Sequence, residues 1–178
     1  MKSILLPLFC ICSFTILAQT KPEETEVWEP EPSPISFEQG TPSDAIVLFN
    51  GENTDAWQTS DGGDIEWVVN NGVLTVKPRS GAIQTRQNFG DVQLHIEWRS
   101  PQEVVGEGQG RGNSGVFFSG RYEVQVLDSY NNRTYSNGQA GSIYKQFMPY
   151  VNATKAPTEW ETYDIVFLAP EFDASGKL

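Results

Sequence analysis

The sequence predicts an all-β fold, either an antiparallel sandwich or a barrel. Aromatic residues make up 12% of the 178 residues and 16 are glycines, a composition that favours strands joined by tight turns. Short segments in which apolar and polar residues alternate are separated by turn signals. No segment shows the sustained 3.6-residue periodicity of an amphipathic helix, so we expect no helices between the strands.

The chain begins with a segment typical of a signal peptide. Lys2 precedes the apolar run ILLPLFCICSFTILA, and cleavage is expected near Ala18. The run is short for a membrane span. We therefore expect residues 1–18 to be removed and the mature protein to be exported, to the periplasm or outside the cell, without a membrane span. Both cysteines lie in this segment, so the mature protein should have no disulfide.

Residues 19–43 are rich in proline and glutamate. Such a composition buries too little apolar surface to offset the entropy of ordering the chain. We predict a disordered linker here, followed by one folded domain over residues 44–178.

The predicted strands follow in order along this domain. The clearest hairpin is IEWVVNNGVLTV, because Asn71-Gly72 can supply the positive φ angles of a tight turn. Further strands are predicted in the segments GAIQTRQ, VQLHIEWRS, GVFFSG, RYEVQVLDS and WETYDIVFLAP. The chain stops after the turn FDASGKL, where another strand would begin, so we expect the domain to be truncated at its C-terminus.

The strand VQLHIEWRS has a polar face that contains His95, Glu97 and Arg99. An imidazole, a carboxylate and a guanidinium can move a proton, stabilise an oxyanion and bind a hydroxyl. We therefore predict that His95 and Glu97 are catalytic and that Arg99 binds substrate. A solvated outer face of the sheet would give the same alternation, and this alternative stays open.

A second polar face lies on RYEVQVLDS, where Arg121, Glu123 and Gln125 alternate with apolar residues and Leu127 ends the polar set. Glu123 is the third catalytic candidate, and Arg121 and Gln125 are predicted to bind substrate. We expect this face and the polar face of the earlier strand to line one concave surface.

The loop GEGQGRGNSG has no Lys-Ser/Thr pair and opens no helix, so it differs from phosphate-binding loops. We predict that its glycines let Asn113 and Ser114 approach a ligand closely; a flexible surface loop is the alternative. Tyr144, an aromatic residue able to stack on a sugar, and its neighbour Lys145 complete the predicted substrate-binding set.

The net charge and the small number of possible metal-ligating residues argue against a nucleic-acid partner and against a bound metal. The formal net charge of −11 argues against a nucleic-acid partner, which needs a basic surface. One histidine and no mature cysteine argue against a zinc site, and the acidic residues lack the spacing of a calcium loop. We predict neither a metal nor a cofactor.

The segment GNSGVFFSGRYEVQVLDSY, with LFNGENTDAW before it and GQAGSIYKQFMPYVNATKAP after it, resembles the 3-keto-disaccharide hydrolase family. The resemblance covers residues 44–178. It implies an exported bacterial protein with a concanavalin A-like jelly-roll sandwich and several further strands. It also implies a carbohydrate substrate oxidised at C3.

Chemistry on such a substrate is expected to start with removal of the C2 proton, because the neighbouring ketone acidifies it. β-Elimination of the C1 substituent and addition of water then follow. One alternative is a glucanase-like hydrolase, but the stretch Glu123-Val124-Gln125-Val126-Leu127 lacks the further acids of the E-x-D-x-E pattern. The other alternative is a non-catalytic carbohydrate-binding module.

Overall fold

The computed structural model describes residues 21–27, 29–38 and 40–177. The predicted signal peptide at residues 1–18 lies outside these residues. The chain divides into two units, Met1–Asn50 and Gly51–Leu178. Among the described residues, no helix has the length and apolar character needed to cross a membrane.

The first unit contains three short elements in its described part. They are the helix α1 (Pro22–Thr25) and the strands β1 (Phe37–Glu38) and β2 (Thr41–Pro42), which pair antiparallel. All three fall within residues 19–43, and the assignment of this segment as a linker stays a prediction.

The described residues of the second unit form eight strands, in antiparallel pairs. The strands are β3 (Trp57–Thr59), β4 (Val68–Asn70), β5 (Val73–Thr75), β6 (Ile83–Thr85), β7 (Val92–Trp98), β8 (Asn113–Phe118), β9 (Tyr122–Leu127) and β10 (Glu161–Phe167). The pairs are β3–β6, β4–β5, β7–β10 and β8–β9. These elements confirm the predicted all-β, antiparallel jelly-roll sandwich.

The hairpin β4–β5 turns where the sequence predicts it. Asn71 and Gly72 have φ angles of 50° and 76°, and Asn70 pairs with Val73 across them. Two consecutive positive φ angles are the signature of a tight hairpin turn whose twist matches that of the strands.

The pairs β7–β10 and β8–β9 pack through their apolar faces. Phe167 of β10 stacks on Phe118 of β8, with ring centroids 4.8 Å apart, and lies 5.9 Å from the ring of Tyr122. On the same side of β9, the Tyr163 hydroxyl donates to the carbonyl oxygen of Gln125 at 2.7 Å. Removing apolar ring surface from water is favourable, so these contacts hold the two strand pairs together.

Because side chains alternate along a strand, the opposite face of β9 carries Glu123 and Gln125. Gln125 is 1% exposed although it points away from the aromatic contact. Polar partners from the neighbouring loops must therefore cover it.

Those loops are joined at one end of the β8–β9 hairpin. Asn132 is buried; its Nδ2 donates to the carbonyl oxygens of Asp128 (2.7 Å) and Gly108 (3.0 Å), and its Oδ1 accepts from Gly108 N (2.8 Å). Arg111 Nη1 adds an ion pair to Asp128 Oδ2 at 3.3 Å. The glycine-rich loop before β8 is thus bonded to the loop after β9.

Candidate active site

A cluster of polar side chains covers the outer face of the β8–β9 hairpin. We name it the Glu123 cluster. Its members come from β8, from β9 and from the loops on either side of the hairpin; they are Gln109, Asn113, Glu123, Gln125, Tyr135, Tyr144 and Lys145. Asn113, Tyr135 and Lys145 are exposed, so the cluster is open to a ligand.

Two glycines make room for this cluster. A methyl group at position 115 would lie 2.3 Å from Glu123 Oε1, and one at position 138 would lie 2.1 Å from the ring of Tyr135. Real contacts of this kind begin above 3.0 Å. Gly115 and Gly138 therefore let a carboxyl group and a phenol pack directly on the backbone.

The Glu123 carboxyl has an unusual electrostatic environment. Burial raises its pKa, and the Lys145 ammonium opposes part of that rise by attracting the carboxylate. A carboxyl that holds its proton more tightly than usual is a stronger base once ionised, and it can return the proton afterwards. Glu123 is thus suited to act as an acid and a base in one cycle.

Amide groups cover the other side of the Glu123 carboxyl. One end of the Gln125 amide lies 3.1 Å from Glu123 Oε1, and its other end lies 3.0 Å from Gln109 Oε1. Asn113 Nδ2 donates to the backbone oxygen of Gln109 at 2.9 Å. The Gln125 amide thus lies between the Glu123 carboxyl and the amides of Gln109 and Asn113.

A backbone segment beside β9 places the two remaining side chains. Gln125 N donates to Ser142 O (3.0 Å), and Gly141 N donates to Gln125 O (2.9 Å). One step further along, Tyr144 N donates to Glu123 O at 3.0 Å. The segment therefore continues the sheet and carries Tyr144 and Lys145 to the edge nearest Glu123.

Tyr135 and Tyr144 form a pair of phenols, with hydroxyl oxygens 2.6 Å apart. This hydrogen bond is the main reason that the pKa of Tyr135 rises to about 12. Since only one of the two hydrogens lies between the oxygens, the other can be donated to a ligand. Lys145 Nζ lies over the Tyr144 ring, 5.1 Å from its centroid, so an ammonium and a phenol donor lie side by side.

The sequence profile of the 3-keto-alpha-glucoside-1,2-lyase-like domain matches residues 44–174. The chain belongs to this family. The resemblance predicted from the sequence is therefore confirmed, and the protein has a carbohydrate-active domain. No curated protein matches the chain.

Two crystal structures from Parabacteroides distasonis ATCC 8503, each of a protein named "putative glycosyl hydrolase", resemble this family member. The first, at 2.13 Å resolution, shares 51% sequence identity with a TM-score of 0.79, and the match covers 89% of this chain and 70% of that chain. The second, at 1.70 Å resolution, shares 24% identity with a TM-score of 0.54, over 68% of this chain and 63% of that chain. The second likeness supports the fold alone.

Five of the predicted site residues belong to the Glu123 cluster of this family member: Asn113, Glu123, Gln125, Tyr144 and Lys145. Ser114 pairs with Val126, so its side chain lies on the opposite face of β8 from Asn113. Arg121 is exposed in the turn between β8 and β9. Neither side chain is placed with the cluster.

The structure does not bring His95 and Glu97 to Glu123. His95 Nδ1 lies 2.7 Å from Asp164 Oδ1, and the two side chains are 63% and 77% exposed. Glu97 is exposed beside Thr162. The opposite face of β7–β10 makes the aromatic contact with β8–β9. The expectation of one shared concave surface is therefore wrong, because the alternation on β7 marks an outward face.

Arg99 lies just beyond β7, with its guanidinium carbon 4.8 Å from the centroid of the Trp160 ring. This cation–π contact gives Arg99 a structural partner. The predicted substrate-binding role of Arg99 has no support from its position.

The sequence reasoning missed two members of the cluster, Gln109 and Tyr135. Gln109 lies within the glycine-rich loop, where the sequence pointed to Asn113 and Ser114. Tyr135 lies in an irregular loop without periodicity. The glycine three residues after it, Gly138, is the one local signal that its ring packs against backbone.

Proposed function

We propose that this protein is an exported enzyme that cleaves 3-keto-glycosides by elimination between C1 and C2, followed by hydration. The observation that carries the proposal is the environment of Glu123. Its carboxyl, with a raised pKa, is surrounded by amides, phenols and one ammonium. An elimination needs one base, whereas a retaining glycosidase needs two carboxyl groups about 5–5.5 Å apart.

The reaction begins at C2 of the sugar. Ionised Glu123 removes the C2 proton, and the electron pair of that bond moves into an enolate whose charge lies on O3. When the enolate reverts to the ketone, a C1=C2 double bond forms and the bond from C1 to the leaving oxygen breaks. That oxygen takes up a proton from solvent, and the aglycone leaves as an alcohol.

The enolate is stabilised by groups that donate hydrogen bonds or carry positive charge. Lys145 supplies an ammonium, and the phenol pair supplies its free hydroxyl hydrogen. The pKa of Tyr135, about 12, keeps its hydroxyl protonated during turnover. The exposed Asn113 side chain supplies an amide that binds a sugar hydroxyl.

Hydration closes the cycle. Water adds to C1 of the unsaturated ketone and releases one proton to solvent, which replaces the proton taken up by the leaving oxygen, and protonated Glu123 returns its proton to C2. The products are the 3-keto sugar and the alcohol, and Glu123 is ionised again. The carboxyl gains and loses one proton in each turnover, as expected for a group whose pKa lies closer to neutrality than usual.

Export is a separate part of the proposal. It is supported by the positively charged start, apolar run and small-residue end of residues 1–18. Expression of the whole chain in a bacterial host, followed by fractionation and N-terminal sequencing, tests it. We expect the protein outside the cytoplasm with its N-terminus near Gln19; an intact Met1 in the cytoplasmic fraction contradicts export.

The activity is tested with an aryl 3-keto-α-glucoside and its unoxidised parent. We expect aglycone release from the keto compound alone, and a loss of about 10²–10⁴ in rate for Glu123→Gln, which removes the base but keeps the shape. His95→Gln is the matched comparison and should retain activity. Equal cleavage of the parent favours a glucanase, and binding without cleavage favours a carbohydrate-binding module.

The isotope content of the product tests the route. In deuterium oxide, elimination and hydration place deuterium at C2 of the 3-keto sugar. Free 3-keto sugar incubated alone supplies the background exchange. Product without C2 deuterium above that background rules out proton abstraction at C2.

A further inference from the structure

The Gln125 amide lies where it cannot satisfy all of its neighbours at once. One end is 3.0 Å from Gln109 Oε1 and 3.3 Å from Asn113 Oδ1. The other end is 3.1 Å from Glu123 Oε1 and 3.2 Å from the backbone oxygen of Ser114. All four neighbouring atoms are oxygens, whereas the amide offers one nitrogen and one oxygen. In either orientation, the amide oxygen faces two other oxygens.

Gln109 cannot turn to relieve this conflict. Its Nε2 donates to Gly138 O at 2.8 Å and to Thr134 Oγ1 at 3.3 Å. A carbonyl oxygen can only accept, so turning the Gln109 amide would bring two oxygens together at Gly138. Gln125 is 1% exposed, so bulk water does not reach its amide. Of its four neighbouring oxygens, the carboxyl oxygen of Glu123 can take up a proton.

We propose that Gln125 is a positioning residue whose amide turns by half a rotation as Glu123 changes its protonation state. When Glu123 is protonated, its O–H donates to Gln125 Oε1, and Gln125 Nε2 donates to Gln109 and Asn113. When Glu123 is ionised, Nε2 donates to the carboxylate and to the backbone oxygen of Ser114. Each protonation state thus has its own matching hydrogen-bond pattern.

The two patterns differ in the contacts that they leave unsatisfied. The protonated pattern leaves one close oxygen pair, between Gln125 and Ser114. The ionised pattern leaves two, between Gln125 and the side chains of Gln109 and Asn113. Gln109 therefore favours protonated Glu123, because its fixed oxygen attracts the nitrogen of Gln125 away from the carboxyl.

Other groups around the carboxyl cannot exchange donor and acceptor roles in this way. The Lys145 ammonium only donates and favours the ionised form. Tyr135, with a pKa of about 12, is uncharged near neutral pH, and its hydroxyl is engaged with Tyr144. On the β8 side, Gly115 contributes no side chain.

The catalytic consequence rests on the proposed function. In that reaction Glu123 takes a proton from C2 and returns it after water has added. An amide that turns with the proton stabilises the carboxyl in both halves of the cycle. Proton abstraction and proton return are then each supported by the same side chain.

The turning amide is observable by NMR in the whole protein without substrate. With 13C- and 15N-labelled Glu and Gln, the Glu123 carboxyl signal is followed against pH. We expect Gln125 amide hydrogens to show Overhauser contacts to the Asn113 side chain below the Glu123 midpoint and to the Glu123 side chain above it. One set of contacts that persists across the whole titration overturns the proposal.

A pair of variants tests the role of Gln109. Gln109→Met removes the oxygen that holds the Gln125 nitrogen, so the ratio of ionised to protonated Glu123 at a fixed pH should rise about tenfold, the effect of about one hydrogen bond to a charged group. Gln139→Met is the control, because Gln139 Nε2 donates to Asn132 O at 3.2 Å within the loop after β9. A ratio unchanged in Gln109→Met, or raised equally in both variants, contradicts the proposal.

These readouts separate this proposal from the proposed function. If the amide turns with Glu123 but 3-keto-glycosides are not cleaved, the proposed function fails and the coupling stands. If cleavage depends on Glu123 while the amide stays fixed, the coupling fails and the function stands. If both hold, the acid limb of the rate–pH profile should move to lower pH in Gln109→Met and stay in place in Gln139→Met.

Discussion

Gly115→Ala separates the position of the Glu123 carboxyl from the stability of the fold. The added methyl group would lie 2.3 Å from Glu123 Oε1, 2.8 Å from its Cγ and 2.9 Å from its Cδ. Ordinary contacts begin at 3.4 Å, so the carboxyl must retreat by about 1 Å, and a displacement of this size costs about 10²-fold in rate. That loss corresponds to about 2.7 kcal/mol in the activation free energy.

The same substitution should hardly affect folding. Gly115 does not have a positive φ, so alanine fits the strand, and the crowded atoms belong to the end of a flexible side chain. Replacing a strand glycine by alanine gains about 0.5–1 kcal/mol when the backbone allows it, which offsets the crowding. We expect a free energy of unfolding within about 1 kcal/mol of the wild type.

The assay combines kcat/KM for aglycone release with urea denaturation of the same preparation. Gly90→Ala is the matched control, because a methyl group there meets nothing within 4 Å. It should leave both quantities unchanged. If Gly115→Ala keeps wild-type activity, or loses activity only as far as it unfolds, then the carboxyl position does not limit the rate and the reasoning is wrong.

Four further substitutions test separate parts of the structure. The raised pKa of Glu123 means that the wild-type protein loses stability as the pH rises from the unfolded-state pKa of this carboxyl through its folded-state pKa. Glu123→Gln lacks the carboxyl and should lose less stability over the same pH range; parallel stability–pH curves in urea contradict this. Tyr144→Phe should lower the pKa of Tyr135 from about 12, since the lost hydroxyl is its main cause, and an unchanged midpoint of tyrosinate absorbance is the opposing result. His95→Gln should cost less than about 1 kcal/mol in thermal denaturation, as exposed ion pairs do; a larger cost would show a structural role. Tyr163→Phe should cost about 0.5–1.5 kcal/mol, because Gln125 O keeps its bond from Gly141 N at 2.9 Å; a neutral effect in urea would show that the hydroxyl bond adds nothing.

The strands and one polar face could be predicted from the sequence because they depend on local patterns. Alternation in RYEVQVLDS placed Glu123 and Gln125 on one face, and both lie in the cluster. The same alternation around His95 predicted a substrate-facing side chain, whereas His95 lies on an outward face of β7–β10. A period of two shows that a face is polar, but solvent and a ligand select the same residue types, and only the packing of β7–β10 on β8–β9 distinguishes them.

The remaining members of the cluster depend on contacts between distant segments. Tyr135 reaches the site because Asn132 and Gln109 bond their loops together, and no local pattern predicts such bonds. Gly115 is the clearest example of a close approach that the sequence predicts without naming its partner. A glycine-rich loop indicates close approach, and here the approaching group is the protein's own carboxylate.

The strand β9 presents two different sets of side chains at alternate positions, one on each face. Tyr122 and Val124 face the aromatic contact, whereas Glu123 and Gln125 face the cluster. Randomising the even-numbered positions in a gene library would vary thermal stability, and randomising the odd-numbered positions would vary substrate specificity. The two sets share one backbone, so improvements found separately have to be tested in combination. Substrate specificity and stability can thus be targeted at different positions of this one strand.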